Sequence, residues 1–219
     1  MYKIKSWVIE NHDLAFAILL AICVYGYFAL TNEYFATHRT GFAIMERFAV
    51  LGLVGLALTL CIIAGEIDLS IGSNAALAAV IVVRFTDSLG AFPALFIAVS
   101  VSTLIGTIQG YFIAYLRVRA IVLTVGTLML LRGVALFVAQ EKTVMLTDFR
   151  VPDFISTKMM WYFSPASLLV IAMFVVVGLF MSYTRYGREI YAIGGARKEA
   201  VAAGIDLKRP MVIVFAISG

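Results

Sequence analysis

The sequence predicts an all-α, polytopic transmembrane bundle with six spans and the start of a seventh. Three observations predict it. Hydrophobic residues make up 63% of the 219 residues, charged residues only 14%, and the mean hydropathy is +1.00. A soluble domain carries roughly 45–50% apolar and about 25% charged residues, so one water-soluble core could not hide this much apolar surface. Apolar runs also recur at the length of about 20 residues that a bilayer requires. Finally, 17 glycines against 4 prolines suit closely approaching membrane helices.

The first span is expected at Leu14–Leu30, after Lys3 and Lys5. Its length, and the lack of a small-x-small site behind it, mark it as an uncleaved helix rather than a signal peptide. Phe48–Ala64 is the second. Ile71–Val83 is the third, short unless it begins near the acidic residues before it. Ala94–Leu116 follows, with Gln109 as its one strongly polar side chain. Ala120–Ala139 is the fifth and must tolerate Arg132. Ser164–Tyr183 is the sixth. Pro210 then opens the run Met211–Gly219, about half the length of a span.

Lysines and arginines set the expected orientation. With the N-terminus inside, segments 1–13, 64–70, 117–119 and 184–209 carry ten of the 17 basic residues, and the outer segments carry six. The tight Arg117-Val118-Arg119 turn is the clearest local sign of a cytoplasmic N-terminus. The net charge of +4 is concentrated in short loops and so does not imply a nucleic-acid surface. Cys23 and Cys61 lie apart within apolar runs and read as small apolar residues, and His12 and His38 have no metal-like spacing. Neither a glycine-rich phosphate loop, a metal-ligand cluster nor a nucleophile–base set is visible, so no enzyme is expected. The chain reads as a single transmembrane domain over 1–219.

The run Gly65-Glu66-Ile67-Asp68-Leu69-Ser70-Ile71-Gly72-Ser73 interrupts this apolar sequence. Carboxylates and freed backbone groups are costly in hydrocarbon unless hydrated or paired. The break is therefore expected to be non-helical, bordering either a polar path within the membrane or the inner surface. Gly65 is a plausible cap for the helix before it, and Asp68 and Ser70 for the helix after it. Arg132, near mid-span, needs an acceptor, with Asp68 leading and Glu66 or a carbonyl as alternatives. Thr124 and Thr127 are polar groups on the same helix. Gly106 and Gly110 form a small-xxx-small pair expected to pack helices. In 184–209, Gly194-Gly195 is expected to break the chain before a short helix, Ala196–Ala203, ended by Gly204.

Three motifs carry a family resemblance. The break resembles the glycine-isoleucine-aspartate-leucine-serine signature of sugar ABC-transporter permeases of the ribose, xylose, galactose and autoinducer-2 type, with Glu66 where that signature usually has a second glycine. Leu123-Thr124-Val125-Gly126-Thr127-Leu128, with Arg132-Gly133, resembles the family's threonine-leucine-glycine-threonine segment. Thr184-Arg185-Tyr186-Gly187-Arg188-Glu189 through Gly194-Gly195, with Ala200 and Gly204-Ile205, resembles its cytoplasmic coupling loop. The resemblance implies part of a permease that is longer in the family. It implies a translocation path or gate drawing on Glu66, Asp68, Ser70, Ser73, Thr124, Thr127 and Arg132. It implies docking of a separate ATP-binding subunit through Gly194, Gly195, Arg197, Lys198, Glu199, Ala200 and Gly204. This chain itself would bind no cofactor, ATP being used by that subunit. A solute-binding protein, a second permease subunit and the bacterial inner membrane complete the picture. The competing reading is an ion-coupled secondary transporter that uses Glu66, Asp68 and Arg132 as a relay.

Overall fold

The computed structural model describes residues 12–140, 150–159 and 161–219. Lys3, Lys5 and Lys142 of the charge pattern lie outside them. The described residues form helices joined by short turns. These are α1 His12–Thr31, α2 His38–Ile63, α3 Ile71–Leu89, α4 Ala91–Tyr115, α5 Ala120–Val138, α6 Arg150–Ser156, α7 Pro165–Tyr183, α8 Arg185–Gly195, α9 Arg197–Ala202 and α10 Lys208–Ser218.

Five of them, α1, α2, α4, α5 and α7, are long and apolar enough to cross a membrane. They match five of the six expected spans. The third, α3, is helical where expected and longer than predicted, with 19 residues, but Asn74, Arg84 and Asp87 lower its apolar character. α2 starts ten residues before the apolar run. Thr37 caps it by accepting the Thr40 N–H, and Arg39, Glu46 and Arg47 do not interrupt it. α7 starts with a reciprocal capping box between Ser164 and Ser167. α10 begins two residues before Pro210, which is harmless because first-turn N–H groups have no intrahelical acceptor.

The interior lies where α4 meets α10 and α3, where α3 meets α5, and where α2 meets α7. Gly106 and Gly110 serve as the expected packing face. A Cβ on Gly106 would overlap the Phe215 carbonyl, and one on Gly110 would lie 2.8 Å from the Val212 Cα. Phe215, Val214 and Met211 of α10 are accordingly almost wholly buried. The outward faces of α4, α5 and α7 stay rich in exposed Leu, Val, Ile and Phe, as a lipid-facing surface requires.

The segment 184–209 corrects the expectation at one point. Gly194-Gly195 do not break the chain; they are the last residues of α8, which runs from Arg185. Thr184 caps α8 by accepting the Gly187 N–H at 3.0 Å, and Ile190 and Ile193 bury one face. Glycine is needed at 194 for close approach, because a Cβ there would overlap the Ile63 carbonyl of α2. Gly195 faces open space. Gly194→Ala is thus expected to destabilise the full-length protein by about 1–3 kcal/mol through overpacking, and Gly195→Ala to leave it unchanged. Thermal unfolding in detergent checks this; equal midpoints for the two variants would refute the close-approach role.

Candidate functional site: the acidic break and the short helix beside it

α2 ends at the break in a Schellman motif. Gly65, at φ +77°, provides the left-handed residue; its N–H bonds to the Ile62 carbonyl and the Glu66 N–H to the Cys61 carbonyl, both at 2.9 Å. Residues 64–70 are non-helical, and the helix resumes at Ile71 rather than beyond Gly72. Gly65 is therefore the C-terminal cap the sequence suggested. Ser70 is not a side-chain cap for α3, since its hydroxyl is engaged elsewhere.

That engagement forms the centre of the site. Asp68 is only 2% exposed. Its Oδ1 accepts the Ser70 N–H at 2.8 Å and the Ser70 hydroxyl at 2.7 Å, and its Oδ2 accepts the Ser218 hydroxyl at 3.2 Å. Gln109 of α4 donates to Ser70 Oγ at 2.9 Å. Gln109 and Ser70 thus form a chain of donors that ends on the Asp68 carboxylate, and such chains strengthen each other in a low dielectric. Asn74, one turn beyond Ser70, donates to the Gly219 carbonyl at 3.0 Å, while its Oδ1 is buried without a partner. Thr124 is fully buried and lies against the break, its hydroxyl 3.5 Å from the Ile67 carbonyl.

Other sequence-predicted residues stand apart. Thr127 bonds back to the Leu123 carbonyl at 2.9 Å, and Ser73 is half-buried on α3. Arg132 corrects the expectation. It is exposed, and no hydrogen bond or ion pair joins it to Asp68, Glu66 or another described residue. It lies eight residues beyond Thr124, about 12 Å further along α5 at 1.5 Å per residue, while Asp68 is already satisfied by hydroxyls. Glu66, Asp68 and Arg132 therefore form no relay of directly bonded groups.

Glu66 instead pairs with Arg197 of α9 at 2.9 Å. α9, at Arg197–Ala202, is the short helix expected over Ala196–Ala203, one residue shorter at each end. Gly204, at φ +81°, ends it in a second Schellman motif, with the Ile205 N–H on the Ala200 carbonyl at 3.0 Å. Ala200 faces inward at 5% exposure, whereas Lys198 and Glu199 face outward. Beside the break, an open cavity of about 880 Å³ is bordered by Glu66, Arg117, Arg119, Arg197, Asp206 and Lys208. The expected polar border is present, and four of these six charged groups are basic. Sequence reasoning missed Asn74 and Ser218. Asn74 had a legible signal, an asparagine one turn from Ser70 on an apolar helix. Ser218 had none, being 150 residues from its partner.

Comparison with known proteins places this geometry in context. The chain is similar to the L-arabinose transport system permease protein of Escherichia coli (strain K12), at 30% identity over 223 residues, covering 98% of this chain and 64% of that protein. It is similar to the D-allose transport system permease protein of the same strain, at 28% identity, covering 99% of this chain and 70% of that one. The ribose import permease protein of that strain is 27% identical, with 100% of this chain and 68% of the relative covered. This chain thus spans less than two thirds of the length of the L-arabinose permease. No solved structure matches it. Residues 40–219 match the family described as the permease component of the branched-chain amino acid transport system, and the chain belongs to that family.

Proposed function

We propose that the chain forms part of the membrane path of a binding-protein-dependent ABC importer for a monosaccharide or a similar small polar solute. The observation that carries this reading is the shared identity of the relatives, which are named as permeases for L-arabinose, D-allose and ribose. The site suits it. Asp68, Ser70 and Thr124 bring hydroxyl and carboxylate groups together where the helix is broken, while Ser73 on α3 and Thr127 and Arg132 on α5 stand apart from them. A broken helix within an apolar bundle gives a polar solute hydrogen-bonding partners that intact apolar helices lack.

In this reading α3 is the third of six spans and α10 opens a seventh, within one transmembrane domain. The N-terminus and 184–209 face the cytoplasm of a bacterium, across its inner membrane. Gly194, Gly195, Arg197, Lys198, Glu199, Ala200 and Gly204 belong to the element that docks a separate ATP-binding subunit. That subunit hydrolyses ATP and this chain binds no cofactor. A solute-binding protein delivers the solute from outside, and a second permease subunit, identical or related, completes the path.

Uptake by cells tests the class. Deleting the gene for the full-length protein is expected to abolish high-affinity uptake of one labelled sugar among L-arabinose, D-ribose and D-allose, and a plasmid copy to restore it. Unchanged uptake of all monosaccharides offered, together with loss of uptake of a branched-chain amino acid, would overturn the sugar assignment.

A further inference from the structure

We propose that Glu66 is a positioning residue that fastens α9 to the break, so that a displacement of α9 is delivered to Asp68 and Ser70. The inference rests on the reading of α9 as the docking element for the ATP-binding subunit. Three features carry it.

The first is the Glu66–Arg197 pair. The Arg185–Glu189 pair lies within a single helix, whereas this one bridges 131 residues of chain. The Glu66 side chain is 15% exposed and that of Arg197 48%, so the pair is anchored at the break and free to be pulled at α9. The Glu66 backbone is fixed by its bond to the Cys61 carbonyl, and Asp68 follows two residues later.

The second is the seat beneath the pair. Gly194 meets the backbone of Ile63 with no room for a Cβ, and a Cβ on Gly65 would stand 3.5 Å from the Gly194 Cα. Backbone against backbone leaves no compressible side chain between the end of α8 and the end of α2. Arg197 lies three residues past that seat. α9 can therefore tilt about this contact while Glu66 follows through its ion pair.

The third is the return path. After Gly204 the chain enters α10, whose Ser218 donates to Asp68 Oδ2 at 3.2 Å. α9 thus reaches the same carboxylate from two sides, through Glu66 and through α10. A tilt that moves one connection relative to the other changes the hydrogen bonding of Asp68.

The test uses the full-length permease reconstituted with its ATP-binding subunit and solute-binding protein, comparing Glu66→Gln, Glu66→Asp and the charge-swapped double variant Glu66→Arg/Arg197→Glu. Three quantities are read: retention of the ATP-binding subunit on the purified permease, ATP hydrolysis, and solute accumulated per ATP hydrolysed. Glu66→Gln is expected to retain the subunit and hydrolyse ATP while solute per ATP falls at least about fivefold, the low end for coupling between two sites. The aspartate and the swapped pair are expected to recover most of that loss. A parental ratio in Glu66→Gln, or a swapped pair no better than the single variant, overturns the inference. So does loss of the subunit from Glu66→Gln alone, because the pair would then be a docking contact. Failure of the parental chain to retain the subunit would instead refute the docking reading beneath it.

Discussion

Replacing Asp68 with leucine is expected to cost about 2–6 kcal/mol of stability and to abolish transport. The two side chains branch at the same carbon but leucine is the bulkier, so the lost acceptors set the scale of the cost and overpacking adds to it. The Ser70 N–H and the Ser70 hydroxyl both end on Asp68 Oδ1, and Ser70 is 1% exposed. Leaving each buried donor unsatisfied costs about 1–3 kcal/mol. The Ser218 hydroxyl loses less, since the Phe215 carbonyl lies 3.5 Å away as a second acceptor. Asp68→Asn separates charge from hydrogen bonding. An asparagine keeps the Oδ1 acceptor for Ser70, so this variant is expected to fold, with a thermal midpoint near that of the parent. Chemical or thermal unfolding of the full-length protein in detergent measures both. If Asp68→Leu unfolds with the parental midpoint, the network around Asp68 does not hold the break.

Ala200→Pro is expected to remove α9 and leave the spans intact. The Ala200 N–H bonds to the Ala196 carbonyl at 2.9 Å, and proline both deletes that bond and clashes with that carbonyl. The cost inside a helix is about 3 kcal/mol, which six residues cannot absorb. Membrane insertion depends on apolar spans that this change does not touch. The expected outcome is normal insertion, loss of the ATP-binding subunit in a detergent pull-down, and loss of uptake. Retention of the subunit at the parental level would show that α9 is not the docking element.

The spans were legible because each announces itself locally, through an apolar run bounded by charge or glycine. α2 extended further than its apolar run because Arg39, Glu46 and Arg47 are good helix formers at a capped start. The break was legible for the same kind of reason, since Gly65, Glu66 and Asp68 stand out against hydrocarbon-grade sequence. What local reading could not supply was the partner of each charged group. The demand that Arg132 be satisfied is a statement about energy, and it does not say which face of α5 meets the break. Thr124 meets it and Arg132 does not. The same limit hid Arg197 as the partner of Glu66. Gly194 shows a second limit. Two adjacent glycines read as a chain break, yet α8 runs through them because the α2 backbone leaves no room for a side chain at one of them. That neighbour is some 130 residues away in sequence and becomes visible only in three dimensions.

The measurement that tests the central claim most directly is solute uptake into proteoliposomes holding the full-length permease, its ATP-binding subunit and the solute-binding protein. ATP is clamped inside a regenerating system while a protonophore and a sodium-free buffer collapse the ion gradients. The account predicts that uptake of the cognate monosaccharide continues at its full rate and stops when ATP is replaced by a non-hydrolysable analogue. Uptake that ceases with the gradients while ATP is held constant, or that proceeds without ATP, would contradict it.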